Sequence, residues 1–259
     1  MSATQAIGAH VDSSDPLTAA EAVGASAIQF FLADPQGWKA PVEHQHADAI
    51  RAAPLTTYIH APYVLNVATT NNRIRIPSRK LLGQHAAAAA SIGAKGLIVH
   101  GGHVTAKDDP AVGFDNWRKL FQQASETGGF PLPILIENTA GGANSIARRF
   151  DRLAQLWDAI GEYDPGFCLD TCHAHAGGED LDGIVARVKA ITGRIDLVHA
   201  NDSRDTFDSG ADRHTNLGQG TIDPSVIADI VRDAGCDAVV ETAPKGQAAD
   251  IEYLLKAVG

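Results

Sequence analysis

Short apolar runs recur along the chain, each of the kind expected in a strand buried on both faces. They are Ala6-Ile7-Gly8-Ala9-His10, Ala27-Ile28-Gln29-Phe30-Phe31, Thr57-Tyr58-Ile59-His60 and Gly96-Leu97-Ile98-Val99-His100. Four more follow: Ile134-Leu135-Ile136-Glu137, Gly166-Phe167-Cys168-Leu169-Asp170, Asp196-Leu197-Val198-His199 and Asp237-Ala238-Val239-Val240-Glu241. The stretches between them read as helices, for example Leu17 to Val23, Arg79 to Ile92, Ser145 to Ile160 and Pro224 to Ala234. Asp15 before Pro16 and Asp223 before Pro224 are the caps expected at helix starts. Eight strands alternating with helices predict an α/β chain folded as a single (β/α)8 TIM barrel. No low-complexity or linker-like stretch divides it, so residues 1–259 are read as one domain.

Composition narrows the picture. At 259 residues and 44% hydrophobic, the chain can build one large core. Three cysteines, Cys168, Cys172 and Cys236, are too few for a disulfide framework and favour a reducing compartment. The first twenty residues carry no signal-peptide pattern, and the longest apolar stretch, Ala86 to Ala94, is too short to span a bilayer. A cytoplasmic protein without a membrane partner is expected. Neither a phosphate-binding P-loop nor a dinucleotide fingerprint occurs, so no nucleotide cofactor is expected. The formal charge of −10 by itself argues against a polyanionic partner, unless part of the acid holds divalent cations.

The strand ends decide between these. Barrel active sites form where the strands end. Seven of the eight runs end in His, Asp or Glu, far more than 31 acidic residues and 11 histidines supply by chance. Imidazole and carboxylate around one mouth are what zinc and similar ions bind. Five segments are densest: His60-Ala61-Pro62-Tyr63, Glu137-Asn138-Thr139-Ala140-Gly141, Asp170-Thr171-Cys172-His173, His199-Ala200-Asn201-Asp202 and Asp212-Arg213-His214. Of the remaining candidates, His103 in its Gly-Gly loop could support the ligands but need not, His44 and His46 read as exposed, and His175 reads as facing solvent or the groove. His10 reads as a mouth or core residue and Cys172 as a buried thiol.

These segments, with Ile7-Gly8-Ala9-His10-Val11 and Leu217-Gly218-Gln219-Gly220, resemble the endonuclease IV family of zinc-dependent apurinic/apyrimidinic (AP) endonucleases. The resemblance runs from Ile7 to about Glu241. It implies three Zn2+ ions per chain. His60, His100 and Glu137 would hold the first, and Glu137 would bridge to a second held also by Asp170, His199 and Glu241. His173, Asp212 and His214 would hold the third. It further implies DNA repair. The substrate would be double-stranded DNA carrying an abasic site, cut on the 5′ side by a metal-hydroxide mechanism with Glu137 as the catalytic carboxylate, leaving a 3′-hydroxyl. Six positive charges at the mouth would then answer the acidic balance of the chain.

For DNA contacts, the resemblance assigns Tyr63 and Val64, after the third strand, to penetrate the duplex. Arg213 is a further candidate, and Arg73, Arg75, Arg79, Lys80, Arg148, Arg149 and Arg204 could extend the footprint. The loop Phe31-Leu32-Ala33-Asp34-Pro35-Gln36-Gly37-Trp38 departs from the family's Phe-Thr-Lys-Asn-Pro-Arg-x-Trp pattern. Ala33 and Gln36 stand where Lys and Arg would be, which predicts weaker, less salt-sensitive contact through Gln36 and its neighbours. A monomer is expected. Two rivals are a metal-dependent sugar isomerase or epimerase on the same barrel and a non-catalytic binder of abasic DNA. The isomerase needs one or two metals, and the binder would have lost a ligand.

Overall fold

The structure, a computed structural model, describes residues 5–142 and 144–259. The predicted runs form strands β1 (Ile7–His10), β2 (Ala27–Phe30), β3 (Thr56–His60), β4 (Gly96–His100), β5 (Ile134–Glu137), β6 (Gly166–Asp170) and β7 (Leu197–His199). A pair the sequence does not foretell, β8 (Asp202–Ser203) with antiparallel β9 (His214–Thr215), follows, and β10 (Asp237–Val240) completes the set. β1 to β7 and β10 close into a barrel in the order β1-β10-β7-β6-β5-β4-β3-β2. Every neighbour within that ring is parallel, with β1 sealing it against β10 on one side and β2 on the other.

Because side chains alternate along a strand, each strand contributes inward residues two apart. Ala27, Tyr58, Ile98, Leu135, Cys168, Leu197 and Val239 form one buried apolar layer inside the barrel. Two residues beyond each of these stand Gln29, His60, His100, Glu137, Asp170, His199 and Glu241. The outward residues of the same strands, Ile28, Phe30, Ile59, Val99, Ile136, Leu169 and Val198 among them, pack under the helices in a second core. On β1 the inward position is Gly8, where a Cβ would lie 1.5 Å from the Ala27 carbonyl oxygen. Below the apolar layer, the Tyr58 hydroxyl donates to Asp237 Oδ2 at 2.9 Å, and Lys95 Nζ meets the same oxygen at 2.7 Å.

The helices are α1 (Pro16–Val23), α2 (Ala47–Ala52), α3 (Asn72–Ser91), α4 (Pro110–Ser125), α5 (Phe150–Ile160), α6 (Thr171–Gly177), α7 (Ile184–Thr192), α8 (Pro224–Ala234) and α9 (Pro244–Val258). Asp15 and Asp223 accept hydrogen bonds from the Thr18 and Ser225 amides, as caps should. Two helix starts differ from expectation. α3 begins seven residues before Arg79, capped by Asn71, because the helix tolerates Pro77 at the loss of one backbone bond. α5 begins at Phe150 and not at Ser145, because the Ile146 amide donates to the Gly102 carbonyl and ties that stretch to the loop after β4. None of the helices among the described residues is long and apolar enough to cross a membrane.

His85 on α3 is fully buried, and among the described residues neither ring nitrogen has a hydrogen-bond partner. Burial pushes its pKa down to about 4, so it is neutral in the fold and titrates near 6.5 when unfolded. As pH falls from about 6.5 to about 4, the unfolded chain takes up a proton that the folded chain refuses, and stability drops by about 1–3 kcal/mol. His85→Leu is expected to remove that part of the pH dependence. Denaturant melts of both proteins between pH 7 and pH 4 check it, and parallel curves would refute it.

Candidate metal centre

The upper inward layer of the barrel is polar because seven strands each present their last inward residue there. Glu137 sits at its centre, fully buried. Its Oε2 faces His60 Nε2 at 3.1 Å and His100 Nε2 at 3.2 Å. Its Oε1 faces His199 Nδ1 at 3.0 Å and His173 Nδ1 at 3.2 Å. His199 Nδ1 also lies 3.3 Å from Glu241 Oε2. To one side, Asp212 Oδ1 stands 3.1 Å from His173 Nε2 and 3.2 Å from His214 Nε2, with the two imidazole nitrogens 3.4 Å apart.

The donor atoms thus gather into His60/His100/Glu137, Glu137/Asp170/His199/Glu241 and His173/Asp212/His214, each within 4.8 Å, with Glu137 shared by the first two. Cys172, buried as expected, belongs to an overlapping group with Asp170 and His214. Among the described residues, no Lys or Arg forms an ion pair with any of the four carboxylates. Nitrogens and oxygens that converge in this way, with no basic side chain to balance them, suit cations that prefer mixed imidazole and carboxylate ligation.

Surrounding groups set which ring nitrogen faces the centre. His60 Nδ1 donates to the Ala61 carbonyl at 2.7 Å and His173 Nδ1 to the Asn138 carbonyl at 2.9 Å, leaving Nε2 of each as the free lone pair. His199 is turned the other way. Its Nε2 donates to Gln29 Oε1 at 2.8 Å, freeing Nδ1. Gln29 Nε2 donates in turn to Glu241 Oε1 at 2.6 Å. Asn201 donates to Asp170 Oδ2 at 2.6 Å and accepts from the Glu241 amide at 2.7 Å. Sequence reasoning gives Gln29 no role. The run containing it reads as extending to Phe31, so its inward residue does not stand out.

Electrostatics follow from this crowding. Burial opposes ionisation of Glu137, yet His199 and His100 hold its carboxyl well below the usual carboxylate range. Burial pushes Asp170 up, against the pull of His173 and His214. Burial would lower His199, but Glu241 and Glu137 push it up to about 9. His173 and His214 are likewise raised, against burial, by Asp170 and Asp212. Without cations, protons occupy the places between imidazole and carboxylate, so proton and metal compete for the same atoms.

The other predicted residues divide. Tyr63 is 46% exposed at the rim, its ring stacked on His100 at 5.5 Å and edge-on to Phe31 at 5.3 Å. Val64 beside it is half-buried. Gln36 is exposed on a turn whose Asp34 accepts from the Gln36 amide at 2.9 Å, and the Pro35 carbonyl accepts from the Tyr63 amide at 2.9 Å. Arg213 is tied to Asp205, and Arg148 and Arg149 share Asp208. His10 does line the mouth, a cavity of about 790 Å3, with Gln29 Nε2 3.0 Å from its Nδ1. His103 is exposed and held by Asn66, away from the donor groups. His175 packs its ring against Phe207. His44 and His46 are half-buried, correcting the expectation of exposure: His44 Nε2 donates to the Ser13 carbonyl at 2.7 Å and its ring lies against Phe30.

The family model described as xylose isomerase-like TIM barrel matches residues 17–257. A curated protein of Mycobacterium tuberculosis (strain CDC 1551 / Oshkosh), named "Probable endonuclease 4", is 53% identical over 253 residues, covering 98% of this chain and 99% of its own. Among solved structures, endonuclease IV from Thermus thermophilus superposes with a TM-score of 0.82 at 26% identity, covering 98% of each chain. A D-tagatose 3-epimerase-like protein superposes at 0.77 with 17% identity over 98% of each chain, a likeness of fold alone.

Proposed function

This chain belongs to the endonuclease IV family within the xylose isomerase-like TIM barrels, and from that premise we propose that it is an AP endonuclease of DNA repair. In this reading it hydrolyses the phosphodiester 5′ to an abasic site and leaves a 3′-hydroxyl. The observation that carries the reading is the convergence of nine imidazole and carboxylate side chains in three groups at one mouth. His60, His100 and Glu137 would hold one zinc ion, Glu137, Asp170, His199 and Glu241 a second, and His173, Asp212 and His214 a third. Such ions supply Lewis-acid stabilisation of a phosphoryl centre and make water a usable nucleophile near neutral pH.

The chain's own residues do the rest. Glu137 remains a carboxylate at the pH of reaction and fixes the spacing between two of the groups. Gln29, Ala61 and Asn138 hold three imidazoles in the tautomers that aim lone pairs inward. The mouth is concave, so the abasic nucleotide must leave the stack to reach it, and the missing base makes that flip cheap. Tyr63, half-exposed and backed by His100 and Phe31, is the ring placed to occupy the gap.

The test is a duplex with one tetrahydrofuran abasic analogue, incubated with and without a chelator. Cleavage on the 5′ side, extension of the product by a polymerase and loss of both on chelation are expected. An uncut duplex with metal-loaded protein would refute the proposal. Tyr63→Ala should raise KM by the equivalent of about 1–3 kcal/mol of lost stacking. Gln36→Arg should tighten binding and steepen the log–log salt slope by roughly 0.9. Silence of both variants would mean that other residues open the duplex.

A further inference from the structure

The loop from Phe31 to Trp38 has the mouth on one side and a second cavity of about 500 Å3 on the other. That second cavity is lined by Trp38, Arg73, Pro77, Lys80 and Gln84, with no acidic residue. Arg73, Pro77, Lys80 and Gln84 recur at i, i+4, i+7 and i+11, which is one stripe along α3. Trp38, 47% exposed, stands over this stripe from the loop. α3 runs away from the face that carries the mouth, so its first turns, with Arg73, lie at the rim.

Several arginines elsewhere on the molecule are tied up in ion pairs. Arg213, Arg148, Arg149, Arg187, Arg194 and Arg232 are each paired with a carboxylate. Within the run from Arg73 to Lys80, Arg75 turns back to the Thr69 carbonyl and Arg79 to the Asn116 carbonyl. Arg73 and Lys80 are exposed, and among the described residues neither has an ion-pair partner. In a chain of net charge −10, two free cations beside an exposed indole, three residues along the loop from the mouth-lining Pro35, suit an anionic polymer and offer a stacking surface.

We propose that Trp38, Arg73 and Lys80 form a second DNA subsite, holding a strand flanking the lesion as it leaves the mouth over the Pro35–Tyr63 ridge. This rests on the function proposed above. It also supplies what the neighbouring loop lacks, since Ala33 and Gln36 leave that loop without cations of its own. Arg73 and Lys80 are seven residues apart, about 10 Å along the helix, so they meet different phosphates.

Binding of the metal-loaded protein to the nicked product duplex, read by fluorescence anisotropy across a salt series, tests the proposal. Arg73→Gln with Lys80→Gln should flatten the log–log slope by about 1.8, two contacts' worth. Trp38→Ala should weaken binding about tenfold with the slope intact. Arg232→Gln on α8 serves as a control and should change neither. A parental slope in the double variant overturns the subsite, and does so alone if the parent cuts abasic DNA. A parent that neither cuts nor binds abasic DNA overturns the function and the subsite together.

Discussion

Glu137→Gln is expected to lower turnover by at least about a hundredfold, or roughly 2.7 kcal/mol of transition-state stabilisation. The side chain is fully buried and touches four imidazoles, two through each oxygen. An amide keeps the volume but offers one oxygen and one NH2. Whichever way it turns, one pair of histidines loses its carboxylate oxygen and meets a donor. Two donor groups would lose their shared member through one substitution, so metal content should fall along with rate. His103→Ala is the matched control, because His103 is exposed and its side chain is held by Asn66, outside the donor groups. Single-turnover cleavage and elemental analysis of both variants check this, and equal losses in the two would contradict the assignment of Glu137.

Protein prepared without chelator should contain close to three zinc-class ions per chain, and removing them should abolish cleavage. Three groups of donors motivate the number. A sugar isomerase or epimerase on this barrel needs one or two, so the count separates the two readings as well as testing the first. Loss to a chelator should be slow, because each ion would be held by several side chains, some of them fixed in turn by hydrogen bonds from beneath. A reproducible value of one ion per chain would sink the three-ion reading.

The barrel was legible in the sequence because strands buried on both faces read as unbroken apolar runs, and all eight runs became barrel strands. The upper polar layer was legible for the same reason: an inward residue that is His, Asp or Glu at a strand end has no apolar explanation. Gln29 was not legible, since an amide inside an apolar run carries no charge to flag it. Its role appears only when β2 brings it between His10, His199 and Glu241. Arg213, a candidate by its charge, is paired with Asp205, a contact that depends on the fold of the loop and not on local sequence. The start of α3 was not legible because Pro77 reads as a breaker in isolation, whereas packing of Leu81, Leu82 and His85 holds the helix through it.

The sealing of the ring by β1 against β10 has a consequence for how the site comes into being. His60, His100 and Glu137 are synthesised first, and Glu241, the last donor, follows the strand that pairs with both β1 and β7. Until β10 pairs with β7, the second group lacks a member, so the full set of donors is assembled only when the last strand is in place. Cations that bind there favour the closed over the open chain in proportion to their occupancy. They would tie Glu241, at the end of β10, to donors at the ends of β5, β6 and β7, and stripping them should loosen β10 from that side of the ring before the rest of the barrel.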